Sequence, residues 1–173
     1  MRFSLLPDHK FPRVEDISPA FLRDMGVKLL ILDVDNTIAP YKTVTLRESV
    51  TAWAESVKTA GITLFIVSNN KGDRPEIFAK LLGVEYIKRA GKPSPRGVME
   101  ALARTGFQPA EAALVGDQIY TDTIAANLSG VRALLVEPIR FTNPFLAIRY
   151  FFELPFRHES KLDSATAASS GDA

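Results

Sequence analysis

Five short apolar runs, at residues 28–32, 62–67, 84–87, 113–115 and 131–136, alternate along the chain with amphipathic segments. Such runs are too short for helices with a buried stripe but suit strands buried on both faces. Their alternation with helical patterns predicts βαβ units, and hence a five-stranded parallel sheet covered by helices on both sides. The expected fold class is α/β, a three-layer sandwich whose ligand site lies at the carboxyl ends of the strands.

The helices between these runs carry their own punctuation. Thr45-Leu-Arg-Glu48 reads as a capping box, followed by Val50, Trp53, Ala54 and Val57 at helical spacing and closed by Gly61. A second helix is expected from about Asp73, carrying Ile77, Phe78, Leu81 and Leu82 to a stop at Gly83. A third takes Ser94 as N-cap and Pro95 as its first residue, buries Val98, Met99 and Leu102, and ends at Gly106. A fourth spans about 121–129, and Asn143-Pro144 opens a very apolar segment over 145–154. Residues 1–158 are expected to form one domain, and the small, polar stretch 159–173 a disordered tail.

Composition removes several kinds of chemistry. The 173 residues include no Cys, which excludes disulfides, thiol nucleophiles and thiolate zinc sites. His9 and His158 are the only two histidines and lie far apart, so a catalytic metal should be hard and oxygen-bound. With 21 Lys+Arg against 20 Asp+Glu there is no overall field to gather nucleic acid, and none is expected as a partner. The longest stretch free of charged side chains, 59–70, falls well short of the ~20 residues of a membrane-spanning helix. The N-terminal apolar stretch breaks at Pro7-Asp8, too early for a signal-peptide core, so the cytoplasm is the default address.

The residues that carry chemistry sit where the strands end. Asp33-Val34-Asp35-Asn36-Thr37 follows the first run, and alternation along an extended chain would turn Asp33, Asp35 and Thr37 to one side. Two carboxylates this close need a cation or a shared proton; a pair of turn or helix-cap aspartates is the plainer alternative. Ser68-Asn69-Asn70 follows the second run and could hydrogen-bond phosphate oxygens, although it is also ordinary turn chemistry. Lys92, in Ala90-Gly-Lys-Pro93, could place its charge on a phosphate or simply sit in solvent. Gly116-Asp117-Gln-Ile-Tyr-Thr-Asp122 adds two more carboxylates, of which Asp122 alone would be an acid near a helix N-terminus.

Taken together, these four segments resemble the motifs of the haloacid dehalogenase (HAD) superfamily, and more narrowly the YqeG family of subclass IIIA phosphatases. The resemblance implies a HAD-like Rossmannoid fold and a Mg²⁺-dependent phosphomonoester hydrolase working through an aspartyl-phosphate. It implies Asp33 as nucleophile and Asp35 as general acid, then base. Asp33, Asp117 and the backbone carbonyl of Asp35 are the implied Mg²⁺ ligands, Ser68, Asn69 and Lys92 the implied phosphate contacts, and Thr37 and Asp122 supporting residues. A receiver-type phospho-acceptor fits less well, because its acidic pair and phosphorylated Asp belong to different strands. A binding or assembly factor that keeps the fold with little turnover is the alternative; the filled catalytic positions favour the enzyme.

Only nine residues separate Asp35 from Thr45, and residues 68–92 hold one helix and one strand, so no large cap domain is expected. An open site suits a substrate whose bulk stays outside, such as a macromolecule or a lipid headgroup, and also accepts small phosphate esters. A further resemblance, to mitochondrial and plastid phosphatidylglycerophosphate phosphatases, makes that lipid phosphate a candidate substrate. The aromatic segment Phe141, Phe145, Leu146, Ile148, Tyr150, Phe151, Phe152, Leu154 and Phe156, with Arg140, Arg149 and Arg157, is expected to pack on the sheet. Peripheral contact with a membrane surface is the alternative.

Overall fold

The computed structural model describes residues 4–140 and 144–159. Six strands form one sheet: β1 (His9–Phe11), β2 (Leu29–Leu32), β3 (Thr63–Val67), β4 (Glu85–Ile87), β5 (Ala112–Gly116) and β6 (Arg132–Val136). Their spatial order is β1-β6-β5-β2-β3-β4, and each neighbouring pair is parallel. The expected sheet had five strands; β1 is the sixth. It is only three residues long and has no alternating pattern of its own, so it exists through its neighbours. The Asp8 amide donates to the Ala133 carbonyl (2.9 Å), the Asp8 carboxylate accepts from the Ala133 amide (2.7 Å), and Phe11 is buried edge-on against Phe21.

Alternation along the strands sorts the core into two halves. Leu30, Leu32, Leu64 and Ile66 face α2 (Glu48–Thr59) and α3 (Arg74–Leu82), meeting Val50, Trp53, Val57, Phe78 and Leu82. Leu29, Ile31, Phe65 and Val67 face α4 (Arg96–Thr105) and α5 (Ile124–Ser129), meeting Val98, Ala101, Ala125 and Ala126. A one-residue slip of β2 would exchange its two sets of neighbours, so its register is strongly specified. The short α1 (Pro19–Asp24), capped by the Ser18 hydroxyl on the Phe21 amide, adds Leu22 to the first half. The sheet, covered by helices on both faces, is the expected sandwich.

Several local expectations shift. The helix α2 begins at Glu48 after an Arg47 N-cap, so Thr45 caps nothing. Tertiary contacts decide this: Arg47 and the Ser49 hydroxyl are both drawn to Glu15, at 2.9 and 2.8 Å. In α4 the N-cap is Pro95, one residue later than expected, and Met99 is exposed, as is Leu81 of α3. A π-helical turn, Ile119–Thr123, precedes α5. The last helix, α6 (Pro144–Glu159), runs past the expected end at 154 and carries Pro155 inside it. Among the described residues, a loop joins Asp35 to α2, and α3 and β4 fill the interval from Ser68 to Lys92, so no inserted cap is present. The expected tail from Ser160 onward and the side chains of Phe141, Phe145, Leu146 and His158 lie outside the described residues.

Candidate active site

Asp33 directly follows β2, and its amide donates to the Val115 carbonyl of β5 (3.0 Å). The chain leaves β2 toward β3 on one side and leaves β5 toward β6 on the other, so a crevice opens where the two strands end. The Asp33 carboxylate is buried there, with Oδ1 2.7 Å from Lys92 Nζ and Oδ2 accepting a 3.4 Å hydrogen bond from the Thr37 hydroxyl. Thr37 does not reach it by strand alternation. Asn36 has φ +64°, a left-handed conformation Asn tolerates, and the amides of Thr37, Ile38 and Ala39 all turn back to the Val34 carbonyl.

Lys92 is equally buried, its ammonium held between Asp33 Oδ1 and Asp122 Oδ1 (2.7 and 2.6 Å). Asn69, expected at the phosphate, also grips the backbone of Lys92. It accepts from the Lys92 amide (2.7 Å) and donates to the Lys92 carbonyl (2.8 Å), which fixes where that side chain starts. Ser68 is 1% exposed, and its oxygen accepts from the Asn70 amide (3.2 Å). The π-helical turn presents Asp122, whose Oδ2 accepts from the Gln118 amide and the Thr121 hydroxyl (3.2 and 3.3 Å). Gly116 permits this approach: any Cβ there would overlap the Asp122 carboxyl group.

The electrostatics follow from burial. Asp33, Asp117 and Asp122 each bring a carboxylate oxygen within 4.8 Å of the others. Burial pushes the Asp33 carboxyl up from 3.8 to about 6, against the pull of Lys92 and with added repulsion from Asp122. Burial likewise raises Asp117 well above the carboxylate range, with Asp122 and Asp33 adding to it and Arg149 and Arg157 opposing. For Lys92 burial alone would act downward, but Asp122 and Asp33 outweigh it and hold the ammonium above the ordinary lysine range. Among the described residues Asp117 Oδ1 is buried with no hydrogen-bond partner. Three carboxylates against one ammonium, with an orphaned oxygen and only oxygen donors, fit a hard divalent cation.

Asp35 is handled differently. Its Oδ1 pairs with Arg74 Nη1 and its Oδ2 accepts from Asn70 Nδ2 (3.0 Å). Arg74 also donates from Nε to Thr43 O and from Nη2 to Pro40 O, both 2.8 Å, so one guanidinium ties the loop after β2 to α3. No motif marked Arg74, because its role depends on a loop that folds back 31 to 39 residues away in sequence.

A second group missed by motif reading comes from α6. Glu153 and Arg157 are 1% and 2% exposed and pair at 2.8 Å. Glu153 Oε1 accepts from the Ile119 amide (3.1 Å), while Arg157 Nη2 donates to the Asp117 carbonyl, so α6 holds both ends of the loop that carries Asp117. Of the segment expected to pack on the sheet, Ile148, Phe151 and Phe152 are exposed by 55%, 67% and 61%, Tyr150, Leu154 and Phe156 are half-buried, and the buried contacts described are those of Glu153 and Arg157. The 149/153/157 spacing, one face of a helix, was the available signal.

Asp33, Asp35, Ser68, Asn69, Lys92 and Asp122 line one cavity of about 160 Å³ together with Tyr41, Gln118, Thr121 and Arg149. Asp117 and Thr37 adjoin this group and also line neighbouring clefts.

Residues 18–130 match the haloacid dehalogenase-like hydrolase family. The chain belongs to the haloacid dehalogenase-like hydrolases. It is 30% identical over 141 residues to "Probable phosphatase YqeG" of Bacillus subtilis, covering 82% of each chain. It is 31% identical over 139 residues to the chloroplastic/mitochondrial phosphatidylglycerophosphate phosphatase 1 of Arabidopsis thaliana, covering 72% of this chain and 39% of that one. The solved 3-deoxy-D-manno-octulosonate 8-phosphate phosphatase of Yersinia pestis shares the fold, with TM-score 0.53 and 18% identity over 78% of this chain and 73% of that one. Within the family, this chain is a phosphatase. No helix among the described residues is long and apolar enough to cross a membrane.

Proposed function

We infer that this phosphatase hydrolyses phosphomonoesters in two steps through a phosphoryl group carried on Asp33. The observation that carries the reading is the buried Asp33–Lys92–Asp122 array at the end of the central strand, beside the orphaned oxygen of Asp117. Asp33 attacks phosphorus and the bond to the leaving oxygen breaks, while Lys92 and the Ser68 hydroxyl hold the phosphoryl oxygens. Asp35 gives its proton to the leaving alcohol. It then takes a proton from the water that attacks phosphorus, and the Asp33 carboxylate and inorganic phosphate are released. Asp35 Oδ1 is engaged by Arg74, so its use as acid and base requires that pair to open.

Asp33 and Asp117, with the backbone carbonyl of Asp35, would hold the cation, Mg²⁺ by this reading. When bound, it neutralises carboxylate and phosphoryl oxygens together. Asp122 orients Lys92, Asn69 positions the Lys92 backbone, and Thr37 orients Asp33. The cap-free cavity leaves the bulk of a substrate outside, which suits a lipid headgroup such as phosphatidylglycerophosphate, the substrate in the Arabidopsis relative's name. Acid quenching during turnover of a ³²P-labelled phosphomonoester should trap label that hydroxylamine removes, and chelation should stop both label and turnover. Turnover without hydroxylamine-labile label would sink the covalent step, and turnover unchanged by chelation would sink the metal.

A further inference from the structure

The cavity has two ends of different character. By chemistry, Asp33, Ser68 and Lys92 make one group, here the inner end, and Tyr41 of the loop after β2, Gln118 of the loop after β5 and Arg149 of α6 make the other, the outer end. Arg149 hydrogen-bonds the Tyr41 hydroxyl, which also accepts from Gln118 Nε2 (3.5 Å). Its own Nε is buried and has no hydrogen-bond partner among the described residues. The nearest carboxylate, Glu153 Oε1, lies 3.8 Å from that nitrogen and already accepts from the Ile119 amide, while Glu153 Oε2 is held by Arg157. Arg149 thus lines the cavity with no carboxylate in hydrogen-bond contact among the described residues, and a guanidinium so placed favours an anion beside it.

We propose that Arg149, with Tyr41 and Gln118, forms a subsite for a second anionic group on the leaving alcohol of the phosphomonoester. The proposal rests on the reading that the inner end takes the scissile phosphoryl. At about 160 Å³ the cavity is roughly half the smallest usual ligand pocket, about 300 Å³. It therefore holds the phosphoryl group and the first atoms of the leaving group, and a second anion only a few bonds away is what reaches Arg149. A planar guanidinium with paired donors suits a carboxylate or a phosphodiester, the shared chemistry of a phosphorylated sugar acid and a glycerophospholipid headgroup. Arg149 also sits near Asp117, and a purely compensating role toward that carboxylate is the competing account.

3-Phosphoglycerate and glycerol 3-phosphate differ by a carboxylate in place of a hydroxymethyl group, and a water-soluble short-chain phosphatidylglycerophosphate supplies the phosphodiester. The intact protein should favour at least one anionic substrate over glycerol 3-phosphate by about tenfold or more in kcat/KM, the size of one charge-assisted hydrogen bond. Arg149→Gln should bring that ratio close to one, with Arg149→Lys retaining part of it. Preference for the carboxylate or for the phosphodiester identifies which anion the subsite takes. A ratio unaltered by Arg149→Gln, or no preference in the intact protein, overturns the subsite and leaves Arg149 a compensating charge. Thermal shifts with the same three compounds give an independent reading: the anionic ligands should raise the melting temperature more than glycerol 3-phosphate, and Arg149→Gln should remove the difference. If the intact protein turns over no phosphomonoester the hydrolytic reading falls, while these shifts still decide the subsite.

Discussion

The inner and outer walls of the cavity are built by different means. The inner wall, Asp33, Ser68, Lys92 and Asp122, hangs from backbone fixed by the sheet: Asp33 is tied to Val115, Ser68 to Ile87, and Lys92 to Asn69. The outer wall is assembled from side chains reaching across long sequence separations, with Arg74 bonded to Pro40 and Thr43, and α6 seated by the Glu153–Arg157 pair. Strand ends are rigid, so Asp33 and Ser68 start from fixed backbone, and Asp122 is set by the π-helical turn that follows β5. The outer wall depends on ion pairs that must offset the loss of their own hydration.

The sharpest break of that comparison is at the inner wall. Asp33→Asn should lower kcat roughly a thousandfold or more while leaving a cooperatively unfolding domain. Steady-state turnover beside a urea melt checks it, and activity surviving in purified protein would show that the inner wall does not carry the reaction. At the outer wall stability should respond instead. Glu153→Ala takes the carboxylate from a buried Arg157 and should cost about 3–5 kcal/mol, as should Arg157→Ala. The double replacement should cost clearly less than the two losses together. Additive losses in urea unfolding would show that α6 is not seated by this pair.

The smallest effect concerns pH. In chelated protein the folded Asp33 carboxyl binds its proton at about 6 rather than 3.8, so the folded state holds more protons than the unfolded state between those values. The contribution of Asp33 to stability is then fully present at low pH and declines as pH rises through that window, and buried Asp117 acts in the same direction. The urea midpoint of the intact protein, compared with that of Asp33→Asn between about pH 4 and 7, should fall more steeply. Equal slopes would show that Asp33 is not strained at the inner wall.

The same division explains what could be read from the sequence. Motifs at strand ends, Asp33-Val-Asp-Asn-Thr37 or Gly116-Asp-Gln-Ile-Tyr-Thr-Asp122, are local, because the strand before them is local and buried. Five strands and the inner wall were therefore legible. The contacts of Arg74 and Glu153 were not, since their partners are set by how loops return, and an Arg in an amphipathic helix is usually a solvated one. Thr45 shows the converse: a well-formed capping box lost to Glu15, which draws Arg47 and Ser49 to a later start. The aromatic segment misled for a related reason: Ile148, Phe151 and Phe152 are exposed while the charged Glu153 and Arg157 are buried.

The three-residue β1 bears on a different property, the tendency of the folded chain to associate with itself. Without it, β6 would present Ala133, Leu134, Leu135 and Val136 along an open edge, a ready template for a strand from another molecule. The covering strand is itself a poor template. It is short, it carries Lys10, whose ammonium pairs with Glu137 at 2.8 Å, and Pro7 and Pro12 flank it with no amide hydrogens to offer. Solubility at that side of the sheet thus rests on a few residues that take no part in the chemistry at the strand ends.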